Sequence, residues 1–375
     1  MLDFSSSLYL GMRHPHAVLA PWGWLSLGKP AALEEPPGSR ELAYGFAELT
    51  GCQNGVFAPS TLHLFWDIFG MLGEKVIFQD DGAYPVMRWG VARAECRGSK
   101  VFGFRHGDPD HLQKVMRRQM QPKRKPVVVA DGFCPGCGQP VPLGEYLAVV
   151  RNYDGCLLID DTQTLGVLGK SPSRRDPYGE GGGGSLQWHG LQGPDILAAS
   201  SLAKGFGVPV AFLGSDPEAM KQFIRKSETR MYCSPPSAAV LHAAAHALNR
   251  NRLRGDELRG DLLDRIRRFR GKLLTIGLQT LSPFFPVQTI AGLSGAMAIK
   301  AHRDLHARGI KTVLHAPHGN RGNRLSFIIT ASHCYEDIDL AVEMLASLLR
   351  RYVHQKPFMA ALRKFQNRQS SIDII

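Results

Sequence analysis

From about residue 41 the chain alternates between two spacings of apolar residues. In SRELAYGFAELTG, residues 39–51, apolar positions recur every three or four residues, which predicts a helix stopped by Gly51. KVIFQD (75–80) and SKVFGFRH (99–106) are short apolar runs that predict strands, and DHLQKVMRRQM (110–120) predicts the next helix. PVVVADGF (126–133), GCLLIDDTQ (155–163), DILAASS (195–201) and PVAFLGS (209–215) are further strand-like runs. Runs that are apolar on both alternating faces belong to strands covered on both sides, as in a mostly parallel α/β sheet. Ligands of such sheets sit beyond the carboxyl ends of the strands. Asp131, Asp160 and Lys204 each lie just past a predicted strand end, so the fold class alone allows them to converge.

The texture changes near residue 250. GDELRGDLLDRIRRFRGKLLTIG predicts a charged helix, followed by FPVQTIAGL, a helix over 295–308, the strand NRLSFIITA and the amphipathic helix YEDIDLAVEMLASLLRRYV. The expected organisation is an N-terminal segment (1–40), a large α/β domain (41–250), a smaller α+β domain (251–355) and a loosely held polar tail (356–375). No internal repeat is present. The glycine run YGEGGGGSL (178–186) lacks the spacing of a phosphate-binding loop, and no lysine follows it.

Composition narrows the functional class. The 375 residues carry a formal charge of +12, and hydrophobic residues make up 44% of the chain, ample for a buried core. The basic runs MRRQMQPKRKP (116–126) and RIRRFRGK (265–272) have no interleaved aromatics and no reading motif, so they predict solvated faces and no nucleic-acid partner. There is no basic leader followed by a long apolar run and no stretch of about 18 apolar residues, so neither a signal peptide nor a membrane span is expected. Seven cysteines, an odd number in a long chain, predict free thiols and a cytoplasmic setting.

One lysine stands out. In ILAASSLAKGFGVPVAFLG (196–214) Lys204 sits in a turn of small residues between two buried runs. It is either a solvated loop cation or a desolvated lysine. Desolvation lowers the pKa of an ammonium and leaves an amine nucleophilic toward carbonyls.

Six segments, in order along nearly the whole chain, extend this reading: DFSSSLYLGMRHP, FRHGDPDHL, ADGFCPGCGQPVPL, IDDTQTLGVLG, SSLAKGFG and RLSFIITASHCYEDID. Together they resemble the α-oxoamine synthases, a branch of the fold-type I pyridoxal-phosphate enzymes that includes 8-amino-7-oxononanoate synthase. The resemblance implies a fold-type I transferase with a mostly parallel central sheet, a smaller C-terminal α+β domain and pyridoxal 5'-phosphate as cofactor. It implies that Lys204 holds the cofactor aldehyde as a Schiff base and then acts as acid and base at the substrate Cα. Asp160 would pair with the pyridine nitrogen, Tyr84 would stack on the ring where the family has a histidine, and Gln163 would donate to the phenolic oxygen. Ser60, Thr61 and Ser201 would hold the phosphate, with Asp131 among the cofactor-binding residues. No metal is implied.

The substrate half of the pattern departs from the family. Ser326, within RLSF, stands where the family has a carboxylate-binding arginine. Ser7 replaces its asparagine, and Pro135 its active-site serine. With Cys134, Ser7 and Ser326 are the candidate substrate contacts; Arg88 and Arg105 are cations that could replace the missing arginine. Cys134 and Cys137 form a single CPGC, which as a motif could be a redox pair or half a zinc site, and here reads as two thiols near the cofactor. The implied reaction is acyl transfer from a thioester of coenzyme A or a carrier protein onto an amino acid or amine, with decarboxylation. Transamination, aldol cleavage and decarboxylation are the alternatives on the same scaffold, and a non-catalytic basic binding protein is the reading from another class. MYCSPPSAAVLHAAAHAL (231–248) resembles a family interface segment and implies a homodimer.

Overall fold

The computed structural model describes residues 1–120, 124–316 and 322–353. The expected tail at 356–375 lies outside the described residues, as do residues 121–123 of the first basic run. The chain forms two compact units. The larger comprises Leu10–Cys134 and Pro140–Arg259; the smaller comprises Met1–Tyr9, Pro135–Gln139 and the chain from Gly260 onward.

The larger unit is built on a seven-stranded sheet. Across it the order is Asn54–Ala58, Ala211–Ser215, Ile196–Ser201, Cys156–Asp160, Pro126–Asp131, Val76–Asp80 and Lys100–Phe104. Ala211–Ser215 runs antiparallel to both neighbours, and every other pairing is parallel. Side chains alternate across a strand, and the central runs are apolar at every position. Val127 and Val129 therefore join one buried layer, with Phe65 and Phe69 of the helix Thr61–Met71 and Met87 of the helix Pro85–Cys96. Val128 and Ala130 join the opposite layer, with Leu112 of Pro109–Gln119 and Tyr146 of Leu143–Arg151. Each such aliphatic or aromatic side chain removed from water contributes roughly 1.5–3 kcal/mol.

Helix ends follow local chemistry. Gly51 ends Ser39–Thr50 at φ 78°, a left-handed cap that glycine adopts without a Cβ penalty. Asp108 and Asp216 cap the helices that follow them by accepting backbone N–H groups.

The smaller unit holds a three-stranded antiparallel sheet in which Arg324–Ile328 lies between Val287–Ser294 and Val313–His315. The first residues of the chain belong to this unit: Leu2–Asp3 pairs in parallel with Ile310–Lys311, and Phe4 stacks on His333 with ring centroids 4.4 Å apart. His333 accepts the Thr330 N–H at Nδ1, so its Nε2–H donates to the Asp3 carbonyl at 3.0 Å. Ala238–Thr275 is one continuous helix of 38 residues, where the sequence pattern shows two textures.

Candidate active site

Sheet register gathers the chemistry at one end of the larger unit. Asp131 and Asp160 are the last residues of adjacent parallel strands and stand opposite each other. The next strand ends at Ser201, three residues before Lys204, and Ser201 pairs with Ala211, which pairs with Ala58, two residues before Ser60. Five of the predicted residues are thus brought to one sheet edge by strand pairing alone.

The electrostatics there are incomplete. Burial raises the pKa of Asp160, although its carboxylate accepts the Thr162 N–H at 3.0 Å and feels Lys204. Burial raises Asp131 well above the ordinary carboxylate range, and repulsion from Asp160 adds to it; the Tyr84 N–H, donated at 3.1 Å, only partly offsets this. Lys204 is half-buried, and desolvation lowers its pKa against the pull of Asp160 and Asp131. Two buried carboxylates and one desolvated amine leave room for a further cationic group.

The anion end is equally open. Ser60 is the N-cap of Thr61–Met71, yet its hydroxyl makes no capping bond and pairs instead with His63 Nδ1 at 2.8 Å. The first-turn amides of this helix are left for an acceptor other than the cap, which is the chemistry of an anion site. The Ser201 N–H donates to Thr162 Oγ1 at 2.9 Å, fixing its turn against the one after Asp160. These donors, the carboxylate pair and the amine together fit pyridoxal phosphate. Tyr84 is the N-cap of Pro85–Cys96 and its side chain is 51% exposed, so the ring is unburied at the mouth of the cluster. Gln163 is half-buried in the turn after Asp160.

Two backbone turns press together beneath Lys204. A Cβ on Gly205 would lie 2.3 Å from the Leu165 carbonyl oxygen, and one on Gly166 would lie 3.1 Å from the Gly205 Cα. Glycine is required at both positions for this approach.

Sequence reasoning missed the residues that support the cluster. Asp80 ends its strand fully buried; burial alone would raise its carboxyl, but His106 at 2.6 Å, the Tyr146 hydroxyl at 2.7 Å and the Gly82 N–H hold it below the ordinary range. Asp161 is also buried and accepts from the Ser185 N–H at 3.0 Å and from the Ser185 and Thr164 hydroxyls; burial still pushes it up to about 6. Acidic residues just after apolar runs were the available signal. Alternation gives no way to tell a ligand-facing carboxylate from a supporting one.

The candidate substrate residues differ. Cys134 is buried, and a ring nitrogen of His106 lies within 4.8 Å of its thiol, a neighbour that sequence spacing does not disclose. All seven cysteines are thiols. Arg88 donates to the Ala83 carbonyl at 2.8 Å and to the Asp81 carbonyl, and Arg105 pairs with Asp108 at 2.8 Å. In the smaller unit, Ser326 is fully buried, with its hydroxyl 2.7 Å from Thr289 Oγ1 and 3.2 Å from His315 Nδ1. Arg324 donates to the Gly136 carbonyl at 2.9 Å. Ser7 accepts the Tyr9 N–H at its backbone carbonyl and is half-buried.

Residues 66–320 match the family described as aminotransferase class I and II. The chain belongs to that family. Among curated relatives of this family member, the 8-amino-7-oxononanoate synthase of Alkalilimnicola ehrlichii is 30% identical over 261 residues, covering 68% of this chain and 63% of the relative. The putative 8-amino-7-oxononanoate synthase of Geobacillus kaustophilus is 28% identical over 281 residues, 73% of this chain and 67% of that one. The match to the first relative thus spans less than two thirds of its length. Among solved structures, a serine palmitoyltransferase from S. paucimobilis with PLP and myriocin bound is similar at a TM-score of 0.81 and 16% identity, over 93% of this chain and 87% of that chain. The 8-amino-7-oxononanoate synthase from Francisella tularensis gives a TM-score of 0.73 at 18% identity, over 94% and 99%. The fold is therefore fold-type I, as the ordered motifs imply, and the relatives' names agree with the α-oxoamine synthase resemblance. No helix among the described residues is long and apolar enough to cross a membrane.

Proposed function

We propose that this protein is a pyridoxal-phosphate-dependent transferase of the α-oxoamine synthase type, joining an acyl group from a thioester to an amino acid or amine with loss of carbon dioxide. The observation that carries the reading is a desolvated lysine, Lys204, on the sheet end that holds two buried, undercompensated carboxylates. When bound, the cofactor supplies an aldehyde that captures amines and a ring that withdraws electrons from the substrate Cα. Asp160 would hold a proton on the ring nitrogen, and its raised proton affinity would fall with a cation beside it. Lys204 Nζ takes the proton from the substrate Cα and returns one later. The Gln163 amide would donate to the phenolic oxygen, and the Tyr84 ring would stack on the cofactor. Ser60, Thr61 and Ser201 bind the phosphate, and Asp131 orients Tyr84 through its backbone N–H.

A second reading, another Cα reaction such as transamination, is favoured by one observation. Arg88 and Arg105, which could replace the family's carboxylate anchor, are both already engaged. An amino substrate held without its α-carboxylate presents a different bond to the ring. The homodimer rests on the segment 231–248, and a cytoplasmic setting on the seven thiols.

The deciding experiment records visible spectra of the purified protein and of Lys204→Ala, alone and with single amino acids, with and without acyl-coenzyme A. A cofactor band altered by the substitution, with amino-acid-dependent release of carbon dioxide on adding the thioester, is the expected result. Conversion to a pyridoxamine-type spectrum establishes the second reading. No cofactor band after addition of pyridoxal phosphate overturns both.

A further inference from the structure

A cavity of about 510 Å³ opens along one edge of the large sheet, at the strand end remote from the groups described above. Its floor is the free edge of Asn54–Ala58, a strand that pairs on one side only. Asn54 to Phe57 line it, and Asn54 stands opposite Ser215, the end of that strand pair remote from Ala58, Ala211 and Ser201. Register therefore separates the cavity from Lys204 and the phosphate donors. Its walls are the first turns of Ser39–Thr50 and one face of Pro217–Lys226.

The lining is strongly basic. Arg40, Lys221, Arg225 and Arg230 face a single acid, Glu35, giving 4 − 1 = +3. Glu35 is committed to Arg230 at 2.7 Å. Arg40, Lys221 and Arg225 have no acidic partner among the described residues. Arg230 is 8% exposed, and its buried Nε has no acceptor. A buried guanidinium donor without an acceptor is destabilising, and an acceptor on an incoming anion would relieve it. Cations that converge without acids repel one another and are held apart from the apolar groups they surround, Tyr44, Phe57 and Ile224.

We infer that this cavity is a second ligand site, for a phosphate ester or pyrophosphate carrying an apolar or planar body. Three surplus cations exceed what one carboxylate would neutralise and match a multiply charged phosphate. Guanidinium groups match phosphate oxygens in bidentate geometry. The volume lies within the range of roughly 300–1,000 Å³ that holds whole small molecules, so it exceeds a phosphate alone. Tyr44, 48% exposed, offers a ring face to the body of the ligand. The inference is independent of the reaction proposed above.

The test is titration calorimetry on the protein saturated with pyridoxal phosphate, using inorganic pyrophosphate, ADP and 4'-phosphopantetheine as probes. The comparison is with Arg40→Ala/Arg225→Ala and, as a separate variant, Lys221→Glu; all three residues are exposed, and the cofactor absorbance reports that each variant is folded. One saturable site on the wild type, weakened about tenfold or more in both variants with the cofactor spectrum unchanged, is the expected result. ADP binding more tightly than pyrophosphate identifies a nucleotide body, and phosphopantetheine binding more tightly than pyrophosphate identifies an acyl-carrier body. Absence of binding at about 1 mM, or equal binding by wild type and variants, overturns the inference.

Discussion

The sheet end around Asp160 and the strand around Ser326 are both polar and both buried, and they differ in how fully their groups are satisfied. In the smaller unit, Ser326 is closed by Thr289 and His315, Arg324 donates to a carbonyl, and His333 has a donor on one ring nitrogen and an acceptor on the other, which leaves the buried Nε2 of His315 as the orphan of this group. In the larger unit, Asp131 and Asp160 stand beside each other with their proton affinities raised, and Lys204, which feels both, is desolvated. A closed network has finished its chemistry when the chain folds. An open one stores unfavourable electrostatics that a ligand can relieve, and raised carboxylates beside a lowered amine mark such a place. Asp80 and Asp161 lie on the boundary: they are in the charged region but belong to its support, because their oxygens are filled by donors from the chain.

The sharpest way to break this contrast is Lys204→Ala. On the proposed mechanism, loss of the Lys204 amine is expected to lower turnover about a thousandfold or more, with folding retained, measured by thioester consumption alongside circular dichroism. Retained turnover would move the open region elsewhere.

Asp161→Asn tests the boundary through pH. Burial pushes the folded carboxyl up to about 6, above its ordinary value of 3.8, so the fold favours the protonated form. Its contribution to stability is full below pH 3.8 and is lost as pH rises through 6. Asparagine does not titrate. The stability of wild type relative to the variant is therefore expected to fall by about 2 kcal/mol between about pH 4 and about pH 7. Parallel urea-denaturation curves at both pH values would show that Asp161 is not held up by burial.

Asp160→Asn keeps the shape of the open cluster and removes a charge. Turnover should fall about a hundredfold while the protein stays as stable as wild type or becomes more so, since a buried, undercompensated carboxylate has gone. A loss of stability instead would make Asp160 a closed, structural acid.

Ser326→Ala is the smallest expected change. It leaves Thr289 Oγ1 without its partner at the centre of a packed sheet, at a cost of about 1–2 kcal/mol in denaturant titration, with cofactor affinity unchanged. A change in amino-substrate KM with no loss of stability would assign the serine to the substrate.

The sequence is most legible where burial is complete on both faces. Val127 to Ala130 and Leu157 to Ile159 are apolar at every position, and no other element accepts such a run so near an acidic end. The convergence of Asp131, Asp160 and Lys204 on one sheet end follows from strand polarity alone. Asn54–Ala58 is not legible: NGVFA is short, opens with turn-forming residues, and becomes a strand only because Ala211–Ser215 offers it an edge. The paired fate of the two acids in IDDTQ is hidden too, because which carboxylate meets Ser185 and which faces Lys204 depends on a loop that returns more than twenty residues later. For the same reason, the replacement of the family's arginine by Ser326 is visible in the sequence, while the engagement of Arg88 and Arg105 is not.

Gly166 and Gly205 couple their two turns. One lies in the turn that follows Asp160, the other beside Lys204, and each fills the space where the other's side chain would grow. A substitution in either turn is therefore felt by both, and any shift at Gly205 is passed to the neighbouring Lys204 backbone.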